Sequence, residues 1–335
     1  MSTLLAPIAA LAIAQAPAAP ANPVVVPVRT FVGARVVALA AAPTGSRFAA
    51  SMENRNIRIY DASTGMVVRA METPHPQPAY AVAWSRDGRL IASGDESARI
   101  WIWDANTGRR IREMRTHTRG VQALNFSPDG RRLVSTGKDD TIRVYDVSNG
   151  RELLVIPGNG ANFYGTQYLP DGATLLTATL ADGGRAYQGG NRVGSFRGVP
   201  EPAAWDVAFD ATRRRVLVAG RDGVSHIFDV RNGQRLAALR GHEDWVVQVR
   251  LTPSASHAIT SSSDRTVRIW DLRTNQAVQK IEGQSFVGSP LAVTADGRFL
   301  VTVNQDDWLQ TWRFTNPVAA PAARPAPARQ PARRR

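Results

Sequence analysis

The stretch SSSDRTVRIWD, residues 261–271, decides the fold because its ending recurs along the chain. Apolar residues, an aromatic residue and, in most copies, an acid return every 41 to 43 residues. The copies are IRIYD (57–61), IWIWD (100–104), IRVYD (142–146), GRAYQ (184–188), SHIFD (225–229), VRIWD (267–271) and LQTWR (309–313). Seven units of one period predict a repeat architecture, in which each unit buries its apolar faces against its neighbours.

Each unit except the last contains four short apolar runs that are separated by turn residues. In the third unit the runs are VQALNF (121–126), RRLVSTG (131–137), TIRVYD (141–146) and RELLVI (151–156). Alternation with a period of two is typical of half-buried β-strands, and tight turns join antiparallel neighbours. Each unit is therefore predicted to be a four-stranded antiparallel sheet.

The period, the GH pair at 241–242 and the WD pairs at 103–104 and 270–271 resemble WD40 repeats. The resemblance implies an all-β fold, a seven-bladed β-propeller of four-stranded antiparallel blades, over residues 23–316. It also implies a non-catalytic, monomeric scaffold that binds a protein or peptide partner through the top face of the propeller.

The last unit is one strand short, because only FTNP (314–317) separates its third run from a proline-rich tail. The run VVVPVR (24–29) precedes the first unit and has no partner there. We expect this N-terminal strand to complete the last blade and close the ring. Pro27 is compatible with that place, because an edge strand leaves some N–H positions unpaired.

Histidine, a hydroxyl residue and aspartate recur at fixed offsets from the third-run aromatic residue. The two sets are His242, Thr260, Asp264 and Trp270 in the sixth unit, and His117, Ser135, Asp139 and Tyr145 in the third. A hydrolase triad or a metal site would use similar residues, but catalysis does not require its residues to recur around a ring. In the resembled family such a set is a structural tetrad, so we expect no catalytic residue and no metal.

Three further expectations concern the other histidines and the tetrads. The second unit has His75, but Ser97 stands at the position of the acid, so only the sixth unit is expected to have a complete tetrad. His226 and His257 are expected at the surface.

Binding is expected where the units differ, at the starts of the inner strands. The candidate residues for partner binding are Tyr80, Tyr164, Trp205, Trp245, Arg35, Arg119, Lys138 and Arg221. Aromatic residues interleaved with arginine are typical of binding hot spots. The sequence predicts a partner segment that is apolar or anionic, and no small-molecule cofactor.

The two ends differ in composition from the repeats. Residues 1–22 contain an eleven-residue apolar run, Leu4 to Ala14, which suits a signal peptide or a disordered Ala/Pro-rich lead and is too short to span a bilayer. Residues 317–335 are a tail rich in proline, alanine and arginine, expected to be disordered. The signal-peptide interpretation predicts a periplasmic or secreted protein, with a cytoplasmic one as the alternative.

The formal net charge is +13, and the chain has no cysteine. A basic nucleic-acid or ribosome-associated factor is therefore an alternative, although no recognition helix or stacking motif accompanies the charge, which makes nucleic acid an unlikely partner. A propeller enzyme of the hydrolase or lactonase type is the other alternative. It would need metal-binding side chains around the central channel, and the inner-strand starts supply almost none.

Overall fold

A computed structural model describes residues 24–31, 33–72, 74–115, 117–196, 203–285 and 290–318. Over these ranges the regular secondary structure consists of 28 β-strands in seven four-stranded antiparallel sheets. From the innermost strand outward, the first three blades are β2 (Val36–Ala41), β3 (Arg47–Met52), β4 (Ile57–Asp61) and β5 (Val67–Ala70); β6 (Ala79–Trp84), β7 (Leu90–Asp95), β8 (Arg99–Asp104) and β9 (Arg110–Arg115); and β10 (Val121–Phe126), β11 (Arg132–Gly137), β12 (Thr141–Asp146) and β13 (Glu152–Pro157).

The next three blades repeat this order of strands. They are β14 (Phe163–Tyr168), β15 (Thr174–Thr179), β16 (Gly183–Gln188) and β17 (Asn191–Phe196); β18 (Ala204–Asp210), β19 (Arg215–Gly220), β20 (Val224–Asp229) and β21 (Arg235–Arg240); and β22 (Val246–Leu251), β23 (His257–Ser262), β24 (Val267–Asp271) and β25 (Gln276–Ile281). The seven-bladed propeller predicted from the period is confirmed.

The seventh blade is assembled from both ends of the described chain. It contains β26 (Ala292–Val293), β27 (Phe299–Val303), β28 (Leu309–Phe314) and, as its outer strand, β1 (Val25–Phe31). β1 runs antiparallel to β28, from the Val25–Phe314 pair to the Phe31–Leu309 pair. The predicted closure by the N-terminal strand is therefore confirmed, and Pro27 lies in this edge strand beside a register shift.

The apolar core is distributed around the ring, with one buried cluster between each pair of neighbouring blades. The recurring aromatic residue of the third strand packs against the preceding blade: Trp103 lies with residues of the first blade, and Trp270 with residues of the fifth. This packing explains the period of the sequence, because each blade buries its faces only when it has a neighbour on both sides.

Alternating strand directions give the ring two faces. The upper face holds the turns between second and third strands, residues 53–56, 96–98, 138–140, 180–182, 221–223, 263–266 and 304–308. The lower face holds the turns between first and second strands, residues 42–46, 85–89, 127–131, 169–173, 211–214, 252–256 and 294–298. Inner strands begin at the upper face and end at the lower face.

The predicted lead, residues 1–22, lies outside the described residues. So does all of the predicted tail beyond Val318.

Candidate partner-binding surface

A bulge at the start of the inner strands directs variable side chains into the upper mouth of the central channel. In six blades the register shifts just after the first residue of the inner strand. The residue at this shift is Val37, Tyr80, Gln122, Tyr164, Trp205 or Val247. A bulge leaves its extra residue unpaired and re-aims its side chain. The bulge is thus common to these six blades, whereas the side chain at the bulge differs from blade to blade.

Three of the candidate aromatic residues form a continuous strip across the fourth, fifth and sixth blades. The rings of Tyr164 and Trp205 meet edge to face with centroids 4.5 Å apart, and Trp205 stacks on Trp245 at 5.8 Å. The guanidinium of Arg221 lies 4.4 Å from the centre of the Trp245 ring. We call these four residues the aromatic strip. Tyr80 stands apart on the second blade, 44% exposed.

The other candidate cations are less available than the sequence suggests. The Lys138 ammonium lies 2.8 Å from both carboxylate oxygens of Glu96. Arg35 pairs with Glu53 at 3.2 Å and with Asp307 at 3.3 Å. Arg119 is exposed on the link into the third blade. Lys138 and Arg35 are therefore partly neutralised where a ligand would meet them.

Carboxylates outnumber cations on the upper face. Its turns, counted with the strand residue on either side, contain ten acids and five bases. The acids are Glu53, Asp95, Glu96, Asp139, Asp140, Asp182, Asp222, Asp264, Asp306 and Asp307; the bases are Arg55, Arg99, Lys138, Arg221 and Arg265. This balance disfavours the anionic partner segment expected from the sequence and favours a neutral or basic one.

Below the mouth, the channel encloses about 1050 Å³ and is lined by the inner strands. One side presents small residues, Ala38, Ala81 and Ala123. On the other side Asp206 accepts a hydrogen bond from the backbone N–H of Val249 at 3.2 Å and pairs with Arg250. This carboxylate therefore joins the fifth and sixth blades.

Glycine at position 165 leaves room for that carboxylate. A Cβ at Gly165 would lie 2.4 Å from the Oδ1 of Asp206.

Among the described residues no group of three or more His, Asp or Glu side chains is arranged to hold a metal ion.

The sixth-blade tetrad is a chain of hydrogen bonds. His242 lies 2.8 Å from Asp264 through Nδ1 and 2.7 Å from Thr260 through Nε2, and the indole N–H of Trp270 donates to Thr260 at 2.8 Å. Burial opposes ionisation of Asp264, but the hydrogen bonds from His242 and Thr266 outweigh it and hold the pKa of this carboxyl well below its usual range.

The third-blade set has the same order with a weaker last link. His117 lies 2.9 Å from Asp139 and 2.6 Å from Ser135, while Ser135 and the Tyr145 hydroxyl are 3.4 Å apart. Desolvation by burial lowers the pKa of His117 despite the neighbouring carboxylate. All these polar groups lie within their own blade, away from the channel lining.

The second blade has a complete tetrad that the sequence analysis missed. Asp95, the last residue of β7, lies 3.1 Å from His75, which is 2.6 Å from Ser93, and Trp103 donates to Ser93 at 2.8 Å. The acid comes from the end of the second strand, because Ser97 occupies the usual place and donates to Asp95. The available signal was an aspartate at a position where the other units have an uncharged residue.

The two remaining histidines are buried, so the expectation of surface positions was wrong. His226 is fully buried in β20 and bonds to Asp222 at 2.9 Å, and His257 is 7% exposed. In the repeat the position of His226 is usually arginine, which reaches solvent by its length. The imidazole is shorter than an arginine side chain, so it stays buried and bonds to Asp222 in the turn before β20.

Comparison with known proteins supports the repeat assignment. The family model described as WD domain, G-beta repeat, matches residues 68–104, 108–146 and 233–271, about a third of the chain. These three segments contain His75, His117 and His242, the histidines of the three tetrads.

Similar proteins include pre-mRNA-processing factor 19 of Mus musculus, 30% identical over 35% of this chain and 23% of that protein. THO complex subunit 6 of Arabidopsis thaliana is 34% identical over 27% of this chain and 24% of its own length. WD repeat-containing protein 62 of Sus scrofa is 27% identical over 33% of this chain and 7% of its own length. The chain thus spans less than a quarter of each of these relatives.

These relatives contradict the expectation of a periplasmic or secreted protein. They are eukaryotic, and the pre-mRNA processing named for the first takes place inside cells. The expectation rested on the length of one apolar run, and this alanine-rich run has no basic segment before it, as a signal peptide would. Within the described ranges no helix is long and apolar enough to cross a bilayer.

Proposed function

Because this chain carries WD40 repeats in a seven-bladed β-propeller, we propose that it is a non-catalytic scaffold that binds a neutral or basic peptide segment at the aromatic strip. The repeats and the relatives support a role in protein interaction. The observation that carries the finer proposal is the strip itself, Tyr164, Trp205, Trp245 and Arg221 in one contiguous row at the channel mouth.

The residues of the aromatic strip are suited to binding a peptide. Its rings are rigid and lose little conformational entropy on binding, and Trp245 is 37% exposed. The indole N–H of Trp205 is buried and has no hydrogen-bond partner among the described residues. Such a group destabilises the free protein by about 1–3 kcal/mol. A peptide carbonyl that reached it after a small shift of Trp245 would recover this energy.

A non-catalytic role fits the polar groups of the described chain. Asp206 is engaged with Arg250 and the next blade, and the Asp–His pairs are enclosed in their own blades. A nucleophile and its base would have to face the channel, where these pairs do not lie.

The proposal can be tested on an immobilised peptide library probed with the labelled full chain. We expect enrichment of segments that combine an aromatic or aliphatic residue with lysine or arginine. Substitution Trp245→Ala or Tyr164→Ala should weaken the selected peptides at least roughly tenfold, because truncating a central aromatic residue commonly removes about 2 kcal/mol.

Leu236→Ala is the matched control, because Leu236 is 52% exposed on the outer strand β21, away from the channel. It should leave every affinity unchanged. Equal binding by the native chain and both strip variants, with unaltered thermal midpoints, would exclude the aromatic strip as the partner site.

A further inference from the structure

The lower face carries the opposite charge from the upper face. Its turns between first and second strands, counted with the strand residue on either side, contain nine arginines and five aspartates. These are Arg47, Arg86, Arg89, Arg131, Arg132, Arg213, Arg214, Arg215 and Arg298, with Asp87, Asp129, Asp171, Asp210 and Asp296. Its turns between third and fourth strands, counted in the same way, add six arginines and six acids, namely Arg109, Arg110, Arg151, Arg231, Arg235 and Arg273, with Asp61, Asp104, Asp146, Glu152, Asp229 and Asp271. The propeller is thus basic below and acidic above, a separation that the net charge does not reveal.

The five aspartates of the turns between first and second strands are already engaged by those turns. Asp87 and Asp129 each accept from a serine hydroxyl at 2.6 Å and from a backbone N–H at 3.0 Å. These bonds hold the pKa of both carboxyls below its usual value. Asp210 is the one that also pairs with arginines of this face, Arg213 and Arg215.

Most of the arginines in these turns remain available to a ligand. Four of them precede the second strand at the same place in their blades: Arg89, Arg131, Arg214 and Arg298. All four are exposed, and none makes an ion pair of 4.0 Å or less within the described ranges. The same holds for Arg86.

A pocket of about 350 Å³ opens at the lower end of the inner strands, and Arg86 lies in its lining. Trp84 and Phe209 line it, both half-buried, together with Pro43, Pro128 and Arg86. The indole N–H of Trp84 donates to the Gly88 carbonyl at 3.0 Å, so the ring offers a ligand its apolar surface and no free donor.

We propose that the lower face binds single-stranded nucleic acid, with phosphates on the arginines and a base against Trp84 and Phe209. A positively charged surface with aromatic rings is the usual combination for this ligand, because every base has a face that stacks. An acidic peptide would use the arginines but would gain little from the rings. The sequence offered no motif for nucleic acid, since the site is assembled from the turns of separate blades.

The chain beyond Val318 continues from this face. Val318 bonds through its backbone to Ser254 and Gly297, both in lower-face turns. The following residues contain Arg324, Arg329, Arg333, Arg334 and Arg335 and no acid. Arginines of this segment would also attract phosphates, so their contribution to binding has to be separated from that of the face.

The test measures fluorescence anisotropy of a labelled twenty-nucleotide poly(U) RNA with the full chain at several salt concentrations. Arg86→Glu/Arg131→Glu should weaken binding at least tenfold and reduce the slope of log affinity against log salt by about 1.4, because a single strand loses about 0.7 for each phosphate contact. Arg55→Glu/Arg240→Glu is the matched control: both arginines are exposed, and the variant makes the same change in net charge on the opposite side of the ring. It should bind within about twofold of the native chain.

Three results of the anisotropy measurements would overturn the proposal. The first is equal loss in both double variants, which would mean attraction to net charge alone. The second is loss of all binding when residues 319–335 are deleted, which would assign it to the tail. The third is displacement of the RNA by poly-glutamate of equal charge as effectively as by unlabelled RNA, which would indicate an acidic protein segment.

Photocrosslinking with 4-thiouridine should label peptides containing Trp84 or Phe209. Labels confined to the upper face would also contradict the proposal.

Discussion

At the scale of single residues, histidine, aspartate and a hydroxyl residue occur together both in hydrolase active sites and in the blades of this propeller. The burial of the hydroxyl distinguishes the two cases. His242, Asp264 and Thr260 are within hydrogen-bond distance, as a triad would be. Yet Thr260 is fully buried and already accepts from Trp270. A hydroxyl in that position cannot reach a substrate, so we propose that the tetrads stabilise their blades.

Replacing the acid of the sixth-blade tetrad tests this role. Asp264→Asn should lower the free energy of unfolding at pH 7 by about 2 kcal/mol, because it weakens a buried charged hydrogen bond. The pKa of Asp264 is lowered in the folded state. Its contribution to the free energy of unfolding is therefore complete above the pKa of the unfolded state, about 3.9, and is lost as the pH falls towards the pKa of the folded state. The gap between native and variant unfolding curves in urea should therefore narrow below about pH 4.

Asp306→Asn is the control for this experiment, because Asp306 is exposed on the upper face. It should leave the unfolding midpoint nearly unchanged. The double variant His242→Ala/Asp264→Asn should lose less than the two single variants together, since both remove one interaction. Strict additivity would mean that the two side chains act independently.

The residue scale also shows the limit of a repeat pattern. The offsets from the aromatic residue of the third strand predicted correctly which residues of two tetrads lie next to each other, because the register of the strands repeats with the period. They failed for Asp95, which reaches His75 from a different position, and for His226, whose burial depends on the strands packed over it. Offsets alone therefore do not show that an acid at another position of the same blade can replace the usual one, nor which strands cover a side chain.

At the scale of elements, β1 is the strand on which closure depends. Val25 is 2% exposed, packs in the cluster between the sixth and seventh blades, and bonds through its backbone to the Gln279 side chain at 2.7 and 2.9 Å. The next residue, Val26, faces the other way and is 37% exposed. β1 therefore belongs to the seventh blade through its backbone pairing with β28 and contacts the sixth blade through Val25.

A matched pair of substitutions in β1 measures its contribution. Val25→Asp places a carboxylate in the cluster between the blades and should destabilise the protein by about 3 kcal/mol or more, a fall in thermal midpoint of roughly 6 °C. Val26→Asp introduces the same side chain one residue later and should shift the midpoint by no more than about 1 °C. Deletion of residues 22–30 should lower it further than either. Equal midpoints for the two point variants, measured by circular dichroism, would mean that β1 does not anchor the ring.

At the scale of the whole molecule, the fold followed from the sequence but the faces did not. Period, strand patterning and the missing outer strand predicted seven blades and their closure, because these are properties of a single unit or of the chain ends. The charge separation and the aromatic strip depend on which turns the ring gathers on one side. Arg86 and Arg131 are 45 residues apart in sequence and share the lower face only because each follows an inner strand.

Circular permutation tests whether a blade shared by both ends stabilises the ring. Val24 and Thr315 are joined by a backbone hydrogen bond of 2.8 Å, so a short linker can connect the ends of a chain trimmed to residues 24–318. New ends between Asn149 and Gly150 make β13 the N-terminal strand, which again completes a blade from the opposite end of the chain. New ends between Asn159 and Gly160 leave every blade built from consecutive strands and open the ring at the boundary between the third and fourth blades.

Both permutants retain the seven buried clusters and differ only in how the ring is closed. The first should keep a thermal midpoint near that of the native chain, because separating its ends requires breaking the backbone ladder between β12 and β13. The second should unfold several degrees lower, since only side-chain packing and a few turn contacts hold its opening. If the two midpoints coincide, packing between blades suffices for closure, and the placement of β1 in the seventh blade reflects chain connectivity alone.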